Sequence, residues 1–111
     1  MRSAWLAILA CGCSTDAPQT VPADEWLGRW NGPEGTYLEI AGENGSYAIT
    51  VKDLDAARTF AGSSAGDAIE FRRDQVLEVL RPTNGDETGM KWLAGKMNCL
   101  TIRRGEGFCR D

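Results

Sequence analysis

Ser46-Tyr47-Ala48-Ile49-Thr50-Val51-Lys52-Asp53 decides the fold class. Tyr47, Ile49 and Val51 recur at a spacing of two, with Ala48, Thr50 and Lys52 between them, which is the period of a half-buried β-strand and not of a helix. Just upstream, Glu43-Asn44-Gly45-Ser46 supplies an Asn-Gly pair whose residues tolerate the positive φ of a tight hairpin. Before that, Thr36-Tyr37-Leu38-Glu39-Ile40 sets Leu38 and Ile40 on one face. Downstream, segments 58–61, 67–72, 75–81, 88–94 and 96–103 carry β-branched or aromatic residues between turn signals, of which Arg72-Arg73-Asp74-Gln75 and Pro82-Thr83-Asn84-Gly85-Asp86 are the clearest. Only 53–58 competes, with propensity for a single helical turn. The sum is an all-β chain, an antiparallel meander of about eight or nine short strands. Such a meander most often closes into a barrel or strongly curled sheet, because closure removes exposed edges.

Composition narrows the chemistry. A chain of 111 residues, rich in glycine (13) and tryptophan (4), holds one domain with frequent turns. The formal charge of −4 argues against a nucleic-acid partner, which needs a basic face. There is no histidine, so Ser-His-Asp and Cys-His nucleophile systems, imidazole metal sites and the usual near-neutral proton shuttle are excluded. Carboxylates are plentiful, Glu34, Glu39, Glu43, Asp53, Asp55, Glu70, Glu78, Glu87 and Glu106 among them, but no spacing selects a glycosidase-like pair. Acids at outward strand positions face water. No catalytic residue, metal or cofactor is expected.

The N-terminus reads as an address. Met1-Arg2-Ser3 is a short basic region, Ala4 to Ala10 is an uninterrupted apolar run, and Cys11 follows. Ile8-Leu9-Ala10-Cys11 resembles the bacterial lipobox, whose cysteine is lipidated and becomes the first residue; Ala10-Cys11-Gly12-Cys13 offers a second frame with Cys13 as the alternative. The segments are then a signal peptide over 1–10, a lipidated cysteine and flexible tether over 11–24, and a barrel domain over 25–111. The tether is small and polar with two prolines, and fully extended it reaches about 40 Å from a bilayer. The resemblance implies a bacterial cell-envelope protein held to the membrane by its lipid. With Gly12 or Ser14, and not Asp, after the modified cysteine, it implies the outer membrane facing the periplasm.

Two further features concern the barrel. Gly28-Arg29-Trp30 resembles the Gly-x-Trp opening of lipocalin-like barrels, where the indole sits at the closed base and an arginine of the last strand stacks on it; Arg103 and Arg110 are the candidates here, and plain core packing of Trp30 is the alternative. At the C-terminus, Leu100 and Ile102 alternate with Cys99 and Thr101, and Phe108-Cys109 follow the turn Arg104-Gly105-Glu106-Gly107. Pairing Leu100 with Phe108 inward sets Cys99 opposite Cys109 on the other face, which predicts a disulfide.

Function is the least legible. Gly89-Met90-Lys91-Trp92-Leu93-Ala94-Gly95-Lys96 is a binding surface with Trp92 as anchor beside Lys91 and Lys96, or a core strand whose lysines are solvated. The expected role is non-catalytic binding of an envelope protein, cell-wall material or a small apolar ligand. One alternative rests on a resemblance in architecture to the membrane-bound lysozyme inhibitors, lipoproteins with a small disulfide-bonded barrel, for which Ser46 and Lys91 are the residues to test. The other is a lipocalin-like carrier, which requires an open apolar interior.

Overall fold

The computed structural model describes residues 22–110. Eight antiparallel strands follow one another around a closed barrel: β1 (Gly28–Asn31), β2 (Tyr37–Glu43), β3 (Ser46–Lys52), β4 (Ala57–Ala65), β5 (Ala68–Arg73), β6 (Val76–Thr83), β7 (Cys99–Arg103) and β8 (Glu106–Cys109). Each strand pairs with its sequence neighbours, and every connection except the long one between β6 and β7 is a short turn. The last pairing, β8 with β1, is a single residue pair, Asn31 with Cys109.

Period-two alternation aims one side of each strand inward. Tyr47, Ile49 and Val51 of β3 are buried as their spacing predicts, and they face a core with Leu38, Ile40, Ile69, Phe71, Leu80, Leu100, Ile102 and Phe108. Leu38, Ile49, Ile69, Leu80 and Leu100 are completely inaccessible. Side chains therefore fill the interior, as in other small barrels. Asn44 and Gly45 take φ of 56° and 88° in the β2–β3 hairpin. The segment 53–58 has no helix, its first four residues forming a turn and its last two opening β4: the Asp53 carboxylate accepts the backbone N–H groups of Ala56 and Asp55, and these two bonds hold its pKa below the ordinary carboxylate range.

The C-terminal hairpin has the expected register. Leu100 faces Phe108 and Cys99 faces Cys109, and the register irregularity between Thr101 and Arg103 lies beyond the cysteines. A disulfide joins Cys99 to Cys109 on the outer side of the sheet.

Segment 88–94 departs from expectation, because it is not a strand. β6 pairs directly with β7, from Arg81 against Thr101 to Thr83 against Cys99, so the residues between have no ladder to join. They form a strap with two short 3₁₀ turns, Asp86–Thr88 and Lys91–Leu93. The tether boundary also shifts. Ala23 is buried, and the Asp24 carboxylate accepts the Tyr47 hydroxyl at 2.6 Å and the Asn44 N–H at 3.1 Å. These two residues belong to the barrel base. Cys11, Cys13 and the apolar run before them lie outside the described residues.

Candidate functional site

The N-terminal 3₁₀ turn Pro22–Trp26 closes the base of the barrel. Trp30 stands above it, 1% exposed, its indole N–H donating to the Trp26 carbonyl at 2.8 Å. The Arg110 guanidinium lies 3.9 Å over the Trp30 ring and donates to the carbonyls of Leu27 and Glu25. Of the two candidate arginines, Arg110 makes the stack. Arg103 points to the opposite end, where its guanidinium bonds Glu78.

That far end holds a charged cluster. Arg73 donates to both Glu106 carboxylate oxygens at 2.7 Å and to Glu78 at 3.0 and 3.1 Å. Glu78 is 6% exposed. Hydrogen bonding to Glu106 holds Arg73 in its charged form more firmly than usual, against the opposing effect of burial. Glu78 and Glu106 are thus not acids facing water. The signal was strand parity: Glu78 shares a face with Leu80, and Arg73 shares one with Ile69 and Phe71. Four strands are tied by two acids and two bases. With both Glu106 oxygens and one Glu78 oxygen turned to guanidinium groups, the cluster fits a structural plug better than acid–base chemistry.

The outer face of β7–β8 is covered by the strap, and this is where Trp92 sits. Asn84 and Glu87 start the strap by reciprocal bonds, Glu87 N–H to the Asn84 side chain at 2.8 Å and Asn84 N–H to the Glu87 carboxylate at 2.9 Å. This is a capping box, and Asn84-x-x-Glu87 was its sequence signature. Buried Thr88 then donates to the Gly85 carbonyl, accepts the Met90 N–H, and offers its own carbonyl to Gly105 of the β7–β8 turn at 2.7 Å. The strap closes where Gly85 N–H reaches the Lys96 carbonyl at 2.7 Å. Glycine is required at two of these crossings: a Cβ on Gly85 would lie 1.7 Å from the Leu93 carbonyl oxygen, and one on Gly107 would lie 2.6 Å from the Thr88 methyl.

Leu93 points down and is buried against Cys99 and Cys109, with Met90 beside it, forming a second small core outside the barrel. Trp92 points the other way and is 69% exposed. Lys91, Lys96 and Met97 are exposed on the same strap. Trp92 lines two hollows of about 320 Å³ each. One runs across the β8–β1 seam and is bounded by Asn31, Pro33, Lys96 and Arg110; the other lies against Pro33 and Glu34. The groove is thus at the lower end of the size range of ligand sites. The structure brings Trp92 and Lys96 together on it, and carries Lys91 on the turn beside Trp92. Pro33, Asn31 and Arg110 are contributions that one-dimensional spacing did not reveal.

Ser46 and Lys91 are not assembled into one site. Ser46 opens β3, which pairs with β2 and β4, whereas Lys91 is carried outside β7 and β8. At the end of the barrel that holds Glu106, a cleft of about 150 Å³ is bordered by Val51, Leu54, Met90 and Phe108, well short of the room a drug-sized ligand needs. Among the described residues no three Cys, Asp or Glu side chains converge in a metal-holding arrangement. Comparison with protein-family models, with curated proteins and with solved structures finds no match to this chain.

The disulfide under Leu93 carries a stability prediction. Its ends are ten residues apart, and a loop of that size restricts the unfolded chain by about 2–3 kcal/mol. Cys99→Ala with Cys109→Ala should keep the barrel, whose inward partners are Leu100, Ile102 and Phe108, and lose about that much stability in urea unfolding. Protein purified from an exported source should show no reactive thiol at either position. Two labelled thiols there would mean that the bond is absent in the native protein.

Proposed function

We propose that this chain is a lipid-anchored protein of the bacterial cell envelope, and that its barrel is a non-catalytic binding module whose contact surface is the Trp92 strap. The observation that carries the binding role is the exposure of an indole on a turn held by its buried neighbour. Trp92 projects into solvent from a turn whose next residue, Leu93, is buried on a disulfide, with a groove at its side. An indole is an effective anchor, because a large ring with two rotatable bonds buries much area for little lost freedom on binding. The packed interior favours contact on the outside of the barrel over carriage of a ligand within it. The Trp30–Arg110 stack supports an architectural kinship with lipocalin-like barrels, without their cavity.

The anchor rests on Ala4 to Ala10 followed by Cys11, with Cys13 as the second frame, and the residues after the cysteine favour the outer membrane, facing the periplasm. Metabolic labelling with a fatty-acid probe tests it: Cys11→Ser should abolish the label and release the protein from the membrane fraction. Retention of the label in Cys11→Ser and its loss in Cys13→Ser would move the site to the second frame. Retention of membrane association without any label would refute the anchor. For the binding role, capture from envelope extracts by the wild-type protein should yield a partner, an envelope protein, cell-wall material or a small ligand, that Trp92→Ala fails to retain.

A further inference from the structure

We infer that the groove beside Trp92 takes an acidic saccharide, a sugar chain whose rings carry carboxylates. The inference rests on the strap being the contact surface and needs nothing from the lipid anchor. Three observations converge on it.

The charge of the groove is opposite to that of the protein. In a chain of net charge −4, the charged residues lining the groove are Lys96 and Arg110, and no carboxylate lines it. Glu34 borders the other hollow. Neither Lys96 nor Arg110 has an ion-pair partner among the described residues. Arg110 spends donors on the carbonyls of Leu27 and Glu25 and its face on Trp30, none of which carries a charge. The pattern is complementary to an anion.

The second observation is the indole itself. A pyranose ring presents a face of C–H groups, weakly positive and apolar, and the π face of an indole is its natural counterpart. A peptide carboxylate alone would use the cations and leave Trp92 idle. A neutral sugar would use Trp92 and leave the cations idle. A ring that carries a carboxylate uses both.

Third, the groove is built before any ligand arrives. Leu93 on the disulfide, Thr88 against Gly107 and the Gly85–Lys96 backbone bond hold the strap from below and at its neck. Asn31 adds a side-chain amide at the opposite lip, suited to ring hydroxyls. Saccharides bury little apolar area and gain most from sites that pay no ordering cost.

The test is calorimetric titration of the purified full-length chain in mild detergent with tetragalacturonate. Its uncharged counterpart tetragalactose, hexaglutamate and glycerophosphoglycerol, the soluble headgroup of an anionic lipid, serve as competing probes. Tetragalacturonate should bind, tetragalactose should bind more weakly, and moderate salt should weaken the acidic sugar selectively. Trp92→Ala should lower affinity about tenfold or more, and Lys96→Met should reduce both affinity and its salt dependence. Both positions are exposed, so neither change threatens the fold, and an unchanged unfolding midpoint verifies this. The inference is overturned by absence of binding, by equal affinity for the neutral sugar, by hexaglutamate or the headgroup binding as tightly as the acidic sugar, or by indifference to Trp92→Ala. A partner captured from envelope extracts through Trp92, with no acidic-sugar binding, would overturn it while leaving the contact surface in place.

Discussion

Trp30→Ala is expected to lower stability by about 3–5 kcal/mol, and Trp92→Ala to leave it nearly unchanged. The two indoles sit in opposite situations. Trp30 is 1% exposed in the barrel base, donates its N–H to Trp26 and supports the Arg110 guanidinium on its face. Removing it opens a cavity, leaves the Trp26 carbonyl without its donor and takes the platform from a cation that also ties down Leu27 and Glu25. Domains of this size have total stabilities of about 5–15 kcal/mol, so such a loss moves the urea midpoint far, with little change in slope if the fold persists. Trp30→Phe keeps a ring and forfeits only the N–H bond and part of the contact area, so it should fall between. Similar midpoint shifts in Trp30→Ala and Trp92→Ala would contradict this account of the base.

What the chain announced in advance was local and periodic. The alternation of Tyr47, Ile49 and Val51, the Asn44-Gly45 turn and the Cys99–Cys109 pairing follow from rules that act over a few residues, and the structure has them all. Eight short strands in a meander then leave few ways to close. Segment 88–94 misled because Met90, Trp92 and Leu93 supply strand-like composition, while the decision was made elsewhere. β6 and β7 pair with each other, which leaves that segment to cover the outside of the sheet, and the Asn84-x-x-Glu87 box turns it there. Ala23 and Asp24 look like tether because their partners, the core and Tyr47, are remote in sequence. The candidate site was half legible. An apolar residue flanked by lysines suggests a surface, but that Pro33 and Arg110 border the same groove as Trp92 depends on closure of β8 onto β1.

The charged cluster at the far end predicts the other large effect, in Arg73→Met. Arg73 is the hub: it alone bonds both Glu78 and Glu106, while Arg103 is more than half exposed and bonds only Glu78 closely. Taking charges out of water is costly, and the cost is repaid only while each has its partner. With methionine at position 73, the stem still packs beside Phe71, but two carboxylates that shared one guanidinium are left near each other at the end of an apolar barrel. The expected loss at neutral pH is about 3–5 kcal/mol, as for other broken buried pairs. A merely bulky side chain would cost much less, and the distinction is measurable with a double-mutant cycle. Glu78 keeps Arg103, whereas Glu106 loses its only close partner, so in the Glu106→Gln background Arg73→Met should cost markedly less than in the wild type, a coupling of about 1–3 kcal/mol. Additive losses in urea unfolding, with no such coupling, would show that Arg73 contributes by packing and that its ion pair to Glu106 is energetically idle.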